Sequence, residues 1–239
     1  MTKGYVDNLE TELNGKVTIA TFEITEENTV ISLPGLSSYT KIDWGDGTLN
    51  ANIEHTYVAT GTYKCKIYGL TKLQFSVNPM LMMSGRSCLT NLIISNDITT
   101  IGVFALYGCD NLTELVISDS VVTIENDAFT GCGNLTKVTF GKNVTSIGSA
   151  FMGCSSLKNI TIPSGVTSIV YGTFRNCTSL TSVEIPDSVT AIDSYAFAYC
   201  GSLTNVVIGS NVCYVTIQPQ TLWDTISIRL VMKFFLILY

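Results

Sequence analysis

Histidine and positive charge are scarce in this sequence. Its 239 residues include one histidine, His55, and 13 lysines and arginines against 19 aspartates and glutamates, which gives a net charge of −6. A single histidine largely excludes histidine-based metal clusters and a histidine-assisted nucleophile that needs a second histidine. The basic residues are scattered, so the basic stripe that nucleic-acid binding requires is missing.

Several other signatures of chemistry or targeting are missing. There is no phosphate-binding glycine loop and no calcium loop of the EF-hand order. The first twenty residues lack the apolar core of a secretory signal, so we expect either that a leader has been removed or that export uses another route. The apolar run 226–239 is shorter than the roughly 20 residues of a membrane-spanning helix. We therefore expect a protein without enzymatic activity, cofactor, metal or membrane span.

A repeat of about 23 residues dominates what is present. Each copy reads L-x-x-[LVI]-x-[IF], a polar turn, V-x-x-I, an aromatic residue and a cysteine. Five full copies open at Leu112, Leu135, Leu157, Leu180 and Leu203. An earlier copy opens at Leu89, and a shorter phrase at Leu70 is expected to form an irregular first coil. Such a period predicts a solenoid, whose coils stack and stabilise one another as nearest neighbours. Seven stacked strands would form a parallel sheet about 30 Å long.

The repeat also decides how most of the eight cysteines are interpreted. Five of them occupy one repeated core position: Cys109, Cys132, Cys154, Cys177 and Cys200. A column of five cannot pair completely, and free cysteine packs as a small hydrophobic residue. We therefore favour buried thiols over disulfides for the column and leave Cys65, Cys88 and Cys213 open.

The repeat phrase resembles the BspA-like (Treponema pallidum type) leucine-rich repeats of bacterial and protist surface proteins. The resemblance covers residues 70 to about 216. It implies a curved solenoid, displayed outside the cell and used for attachment to host proteins or to other cells, and it names no ligand.

A different composition precedes the repeats, and its most informative stretch is W-G-D-G-T at residues 44–48. Asp46-Gly47 is a strong turn signal between strands, and residues 17–24, 29–33 and 63–67 are predicted strands. With H-T-Y at 55–57 and G-T-Y at 61–63, this region looks like a PKD module, an immunoglobulin-like sandwich that acts mainly as a spacer. Only about 53 residues are available, so the sandwich is either trimmed or completed by the edge of the solenoid. Asp43, Asp46 and His55 could hold calcium, but a tight turn requires Asp and Gly for conformational reasons alone, and we favour that structural interpretation.

The two ends of the chain carry weaker signals. Tyr5, Leu9 and Leu13 recur every four residues, which predicts a short amphipathic helix in 1–16. This segment weakly resembles the stems of phage tail fibres, where such helices build trimers. Residues 217–239 depart from the repeat and are expected to be an irregular cap, although a truncated or frameshifted end would read in the same way.

The candidate partner-binding residues are those that flank the central apolar residue of each strand, because alternate residues of a strand point to opposite faces. They form one outward column of Asn91, Glu114, Lys137, Asn159, Ser182 and Asn205, and a second column that includes Thr139, Thr161 and Glu184 beside Ile93, Val116 and Val207. This face is polar, nearly neutral and free of aromatic residues, which favours a protein partner over a carbohydrate. A solvated sheet without a dedicated ligand is the alternative. Tyr107, Tyr171, Tyr195 and Tyr199 form a second candidate patch on the opposite turns.

The sequence thus predicts a mixed, mainly β protein. We expect an N-terminal helical segment (1–16), a PKD-like β-sandwich (17–69), a BspA-like leucine-rich-repeat solenoid with a parallel β-sheet (70–216) and an irregular C-terminal cap (217–239). The expected function is non-enzymatic recognition or adhesion at the cell surface or after secretion, with a host or neighbouring-cell macromolecule as the partner. A phage tail receptor-binding protein and a non-catalytic accessory domain of a larger secreted protein are the alternatives, and the oligomeric state stays open.

Overall fold

The computed structural model describes residues 17–33, 36, 39–70, 72–73 and 86–216. These residues are mainly β, with one short 3-10 helix at Arg86–Cys88 and no α-helix among them. The predicted helix in 1–16 and the predicted cap in 217–239 lie outside the described residues. The strands, in chain order, are β1 (Val17–Ile24), β2 (Thr29–Ser32), β3 (Lys41–Asp43), β4 (Leu49–Asn50), β5 (Glu54–Tyr57), β6 (Gly61–Tyr68), β7 (Lys72–Leu73), β8 (Leu89–Ile93), β9 (Thr100–Ile101), β10 (Glu114–Val116), β11 (Thr123–Ile124), β12 (Lys137–Thr139), β13 (Asn159–Thr161), β14 (Ser168–Ile169), β15 (Ser182–Ile185), β16 (Ala191–Ile192), β17 (Asn205–Ile208) and β18 (Tyr214–Val215).

The L-x-x-[LVI]-x-[IF] phrases form the first face of the solenoid. β8, β10 and β12 pair in parallel, and β13, β15 and β17 form a second parallel group. Equivalent residues are in register, so that Leu92, Leu115 and Val138 lie side by side. The predicted stacking of identical positions in successive coils is therefore confirmed.

The V-x-x-I phrases form a second, narrower face. Its strands pair in the orders β11-β9-β7 and β14-β16-β18, each in parallel. The isoleucines Ile101, Ile124 and Ile169 that these strands contribute are fully buried. Most coils thus place one strand on each face and fill the space between them with apolar side chains. The coil of β12 has only an isolated bridge on the second face, between Ser146 and Thr123, and the second face is divided there as well.

A third edge is formed by the phenylalanine and cysteine positions. The rings of Phe129, Phe151, Phe174 and Phe197 stack at centroid distances of 5.2, 5.7 and 5.4 Å. Four cysteines lie just behind this stack, and each donates its thiol hydrogen to the carbonyl oxygen of the residue in the phenylalanine slot one coil back; they are Cys132, Cys154, Cys177 and Cys200. Cys154, for example, donates to Phe129 O at 3.4 Å and Cys177 to Phe151 O at 3.3 Å. All five cysteines of the column are buried, as predicted.

The N-terminal strands form antiparallel sheets, one of which joins the solenoid. β1 pairs with β6, β6 with β3, and β3 with β4, while β2 and β5 form a separate two-stranded sheet. The other edge of β1 pairs antiparallel with β8, the first strand of the solenoid face. Because Ala20 and Leu92 are in register and both buried, the two parts share one core. This pairing also covers the strand edge that the solenoid would otherwise expose.

Two details of the predicted sheet are wrong. The phrase at Leu70 does not supply a seventh parallel strand: β7 pairs with β9 on the second face, and β1 takes the place beside β8. The first face is also not continuous, because β12 and β13 belong to different sheets.

The break coincides with a change in the repeat length. Leu135 and Leu157 are 22 residues apart, whereas the other successive leucines from Leu89 to Leu203 are 23 apart. The missing residue falls between Ile147 and Phe151, at the phenylalanine edge. Backbone hydrogen bonds cross the break at that edge, with Phe151 N–H donating to Thr173 O at 3.1 Å and Gly153 N–H to Arg175 O at 2.7 Å, so the coils stay joined there while the first face opens.

Candidate recognition surface

The predicted outward residues lie on one face and in register. Glu114 is aligned with Asn91 and Lys137, and Ser182 is aligned with Asn159 and Asn205. The second column aligns in the same way and is divided at the same break; its members are Ile93, Val116 and Thr139 in one half and Thr161, Glu184 and Val207 in the other. All of these side chains are exposed or half-buried, so the structure places the candidate residues together on one surface.

The charges of this surface largely compensate one another. Lys137 Nζ lies within ion-pair distance of Glu114 Oε1, one coil away. The two side chains remain 65% and 38% exposed, so the pair contributes little to stability. Both groups are therefore available to a partner at small cost to the fold.

An apolar strip runs beside the charged pair. Val116 is 38% exposed and Ile93 is 46% exposed, and the two are aligned in adjacent strands. Ile93 is aligned in turn with Ile19 of β1, which is half-buried on the same outward face. We define Val116, Ile93 and Ile19 as the apolar strip.

The surface therefore extends onto the N-terminal strands, which the sequence did not predict. Thr21 is aligned with Asn91, and Lys66 of β6 is aligned with Ile19. Seven strands from β12 to β4 form this continuous sheet. Alternate residues of β1 point to opposite faces, so the sequence could show that Ile19 and Thr21 share one face. It does not show that this face continues the face of β8.

A cleft of about 330 Å³ marks the break between β12 and β13. Its lining combines half-buried apolar residues, Val138 and Phe140, with the polar residues Asn159, Thr161 and Lys142. Asn159 and Thr161 belong to the predicted outward columns. The columns therefore flank a depression at the middle of the solenoid rather than a flat sheet.

The acidic turn of the N-terminal region is explained by its own hydrogen bonds. Gly45 N–H donates to Asp43 Oδ1 at 3.0 Å, and Thr48 N–H donates to Asp46 Oδ1 at 2.9 Å. His55 Nε2 lies 2.7 Å from Asp46 Oδ2, and its ring stacks on Trp44 at 5.0 Å. Burial alone would raise the pKa of Asp46, but the bonds from Thr48 and His55 outweigh it and hold this pKa below its usual value.

The buried thiols of the cysteine column are poorly suited to nucleophilic chemistry. Burial raises the pKa of Cys132 to about 12 and that of Cys154 and Cys177 well above the usual value. Because the thiolate is the reactive form, these cysteines act as core residues. Within the described ranges, no group of His, Cys, Asp and Glu side chains could hold a metal ion.

The second candidate patch is assembled only in part. The rings of Tyr171 and Tyr195 lie 5.4 Å apart, and Arg175 lies against both Tyr195 and Tyr199. Tyr107 contacts the ring of Phe104 at 5.8 Å instead.

No helix among the described residues is long and apolar enough to cross a membrane.

Comparisons with known proteins agree with this architecture. The family model of the BspA type leucine rich repeat region, which comprises six copies, matches residues 83–204 and 123–229. A search of curated protein sequences found no match.

Solved structures include similar solenoids. A leucine-rich repeat protein from Eubacterium ventriosum superimposes with a TM-score of 0.55 at 19% identity, over 81% of this chain and 45% of its own. A leucine rich cell surface protein from Faecalibacterium prausnitzii is 30% identical over 76% of this chain and 53% of its own, with a TM-score of 0.45. The chain thus spans about half the length of these two proteins. The first similarity supports the fold, and it carries no information about a ligand.

Proposed function

The chain belongs to the BspA type leucine-rich repeat family, and from this membership we propose that it is a non-enzymatic recognition protein of the cell surface. In this proposal the solenoid binds a protein of a host or neighbouring cell through its first face. The cell-surface location is supported by the family and by the name of the Faecalibacterium protein.

The observation that carries the proposal is the continuous outward face of the seven-stranded sheet. It combines the apolar strip with a compensated charged pair and uncharged polar residues, which is the composition of a protein-binding surface rather than of a catalytic pocket. The apolar strip supplies area to bury. Glu114 and Lys137 on the same sheet, with Glu184 on the other half of the first face, supply orientation and specificity.

We propose a PKD-like spacer role for the N-terminal strands. The W-G-D-G-T turn, the buried Trp44 and the bond from Tyr57 Oη to Trp44 O at 2.8 Å hold this region together at its end of the shared core. Because β1 also pairs with β8, the spacer is joined rigidly to the recognition face and contributes Ile19 to it.

Binding to intact cells tests the proposal. The fluorescently labelled chain is incubated with cultured epithelial cells before and after mild trypsin treatment, and bound protein is measured by flow cytometry. We expect saturable binding that trypsin abolishes. The triple variant Glu114→Ala, Lys137→Ala and Glu184→Ala should bind at least about tenfold more weakly, which corresponds to roughly 1.4 kcal/mol, with an unchanged melting temperature.

A charge-matched variant provides the control. Asp119, Lys142 and Asp187 are also two acids and one lysine, and Lys142 Nζ pairs with Asp119 Oδ2 at 2.9 Å across one coil. They lie in the turns after the strands, outside the two outward columns, and Lys142 borders the cleft between β12 and β13. Their triple alanine variant should bind as the wild type does. Equal weakening by both variants, or by neither, would refute a specific role of the first face.

A further inference from the structure

Three tyrosines and one arginine converge on the turns that border the phenylalanine edge of the last coils. Arg175 Cζ lies 5.5 Å from the centroid of the Tyr195 ring and 5.4 Å from that of the Tyr199 ring. The ring centroids of Tyr171 and Tyr195 are 5.4 Å apart. Tyr171 and Tyr199 are 50% and 54% exposed, so the cluster presents two partly exposed aromatic rings near a cation.

The backbone conformation at Tyr199 does not require a tyrosine side chain. Tyr199 has φ of 61°, in the left-handed region. The equivalent residue of the earlier coils, immediately before the cysteine, is Gly108, Gly131, Gly153 or Asn176, each with positive φ. The coil therefore needs a left-handed residue here, and glycine or asparagine adopts this conformation at least cost.

Tyr195 occupies a second left-handed position of the same coil, with φ of 58°. The equivalent residues of earlier coils are Gly172, Asp127 and Phe104, each with positive φ. A bulky side chain in this conformation is an outlier, and such outliers cluster at functional sites. Two of them in one coil, both in contact with Arg175, indicate a built cluster.

Arg175 has a hydrogen-bond donor without an acceptor. The residue is half-buried, and its Nε is buried without a hydrogen-bond partner. None of the ion pairs among the described residues includes it. A partly desolvated cation is stabilised by ring faces only in part, and a carboxylate is the partner that its planar group binds best.

We propose that Tyr171, Tyr195, Tyr199 and Arg175 form a second binding site, for a carbohydrate whose pyranose ring carries a carboxylate. The exposed rings of Tyr171 and Tyr199 offer flat apolar faces to the C–H groups of the sugar, and the guanidinium of Arg175 binds the carboxylate. The rings are held in place because neighbouring coils are locked by backbone bonds such as Asn176 N–H to Ala198 O at 2.8 Å. This site is separate from the protein-binding face and does not depend on it.

Isothermal titration with defined oligosaccharides tests the proposal. Sialyllactose and a hyaluronan tetrasaccharide supply two sources of a carboxylated pyranose, and lactose is the neutral counterpart of the first. We expect saturable binding of at least one acidic sugar and at least about tenfold weaker binding of lactose, which is roughly 1.4 kcal/mol. Absence of binding for both acidic sugars at millimolar concentration, or equal binding of lactose, would overturn the proposal.

The variants separate a binding role from a structural one. Tyr199→Asn and Tyr195→Gly restore the residues of the preceding coil, so the melting temperature should stay the same or rise while sugar binding falls by about tenfold or more. Arg175→Met should remove the preference for acidic sugars, and Tyr107→Ala, an edge tyrosine in a distant coil, should bind as the wild type does. The Glu114, Lys137 and Glu184 triple variant should also retain sugar binding, which distinguishes failure of this site from failure of the protein-binding face. Wild-type sugar affinity in both Tyr199→Asn and Arg175→Met would refute the assignment.

Discussion

Replacing Phe151 by alanine should destabilise the solenoid at the centre of its phenylalanine stack. The Phe151 side chain is fully buried. It stacks between Phe129 and Phe174 at 5.2 and 5.7 Å, and the ring of Phe140 meets it edge-on at 5.8 Å. No other ring of the stack has three aromatic neighbours among the described contacts. The alanine variant therefore leaves a cavity at the coil where the first face is already open.

The expected loss follows from this packing. Phenylalanine-to-alanine changes in protein cores cost about 3–5 kcal/mol, and each aromatic pair contributes about 0.5–1.5 kcal/mol of it. With three pairs lost, we expect the upper part of that range, about 4–5 kcal/mol. Phe197→Ala should cost about 1–3 kcal/mol less, because Phe197 is 6% exposed and contacts one ring of the stack, Phe174.

Urea unfolding followed by far-ultraviolet circular dichroism at 25 °C measures both values. The denaturant slope should stay the same, so that a shift of midpoint reports stability. Phe151→Leu is the matched control: Leu106 fills this slot in an earlier coil and is buried, so leucine should recover more than half of the loss. A loss under about 1 kcal/mol for Phe151→Ala, well below the core range, would refute the column assignment. Equal losses for Phe151→Ala and Phe197→Ala would refute the argument from neighbouring rings.

Three further predictions follow from the described contacts. In a thiol titration of the native protein at pH 8, the exposed Cys213 should react first and Cys88 more slowly, because burial raises the pKa of Cys88. All eight thiols should react in denaturant, and a result in which nearly all are oxidised would reject the free-thiol column. Stability should fall below about pH 4, near the ordinary pKa of aspartate. The pKa of Asp46 is lower in the folded protein than in the unfolded chain. The ionised group therefore stabilises the fold above the unfolded pKa, and this contribution is lost as the pH decreases through the folded pKa. Asp46→Asn should flatten that part of the stability profile, and an identical acid profile would contradict the role of its bonds. Thr21→Pro should cost about 1–3 kcal/mol or more in thermal or urea unfolding, because proline removes a ladder hydrogen bond from a strand that pairs with β6 on one side and β8 on the other. A change below about 1 kcal/mol would place β1 outside the ladder.

Much of the candidate surface could be predicted from the repeat. The outward columns follow from the period of two in a strand, and their alignment follows from the stacking of equivalent residues, so Glu114 and Lys137 could be expected to lie side by side. The ion pair between them is a direct consequence of one coil lying on the next. What these residues bind does not follow from the repeat, and their role in binding stays a prediction.

The contribution of the N-terminal strands could not be predicted in this way. Ile19 lies beside Ile93 because β1 and β8 pair antiparallel across about 70 residues of chain. Neither strand contains a signal for the other, and the β1 sequence alone is equally compatible with a self-contained sandwich. The interruption between β12 and β13 was also missed, although the 22-residue spacing was visible, because one missing residue in a turn does not reveal which edge of a coil will open.

The sequence by itself determined the stacked coils, the buried columns represented by Leu115, Phe151 and Cys154, and the direction of each strand residue. These features repeat every coil, so each is specified several times by the same local pattern and by contacts with the nearest neighbour. Only the tertiary structure decided that β1 seals the first coil, that β7 joins the second face, and that Arg175 lies between two tyrosines. Those contacts occur once in the chain and join segments that share no period, and their geometry is set by how the whole core packs rather than by any local pattern.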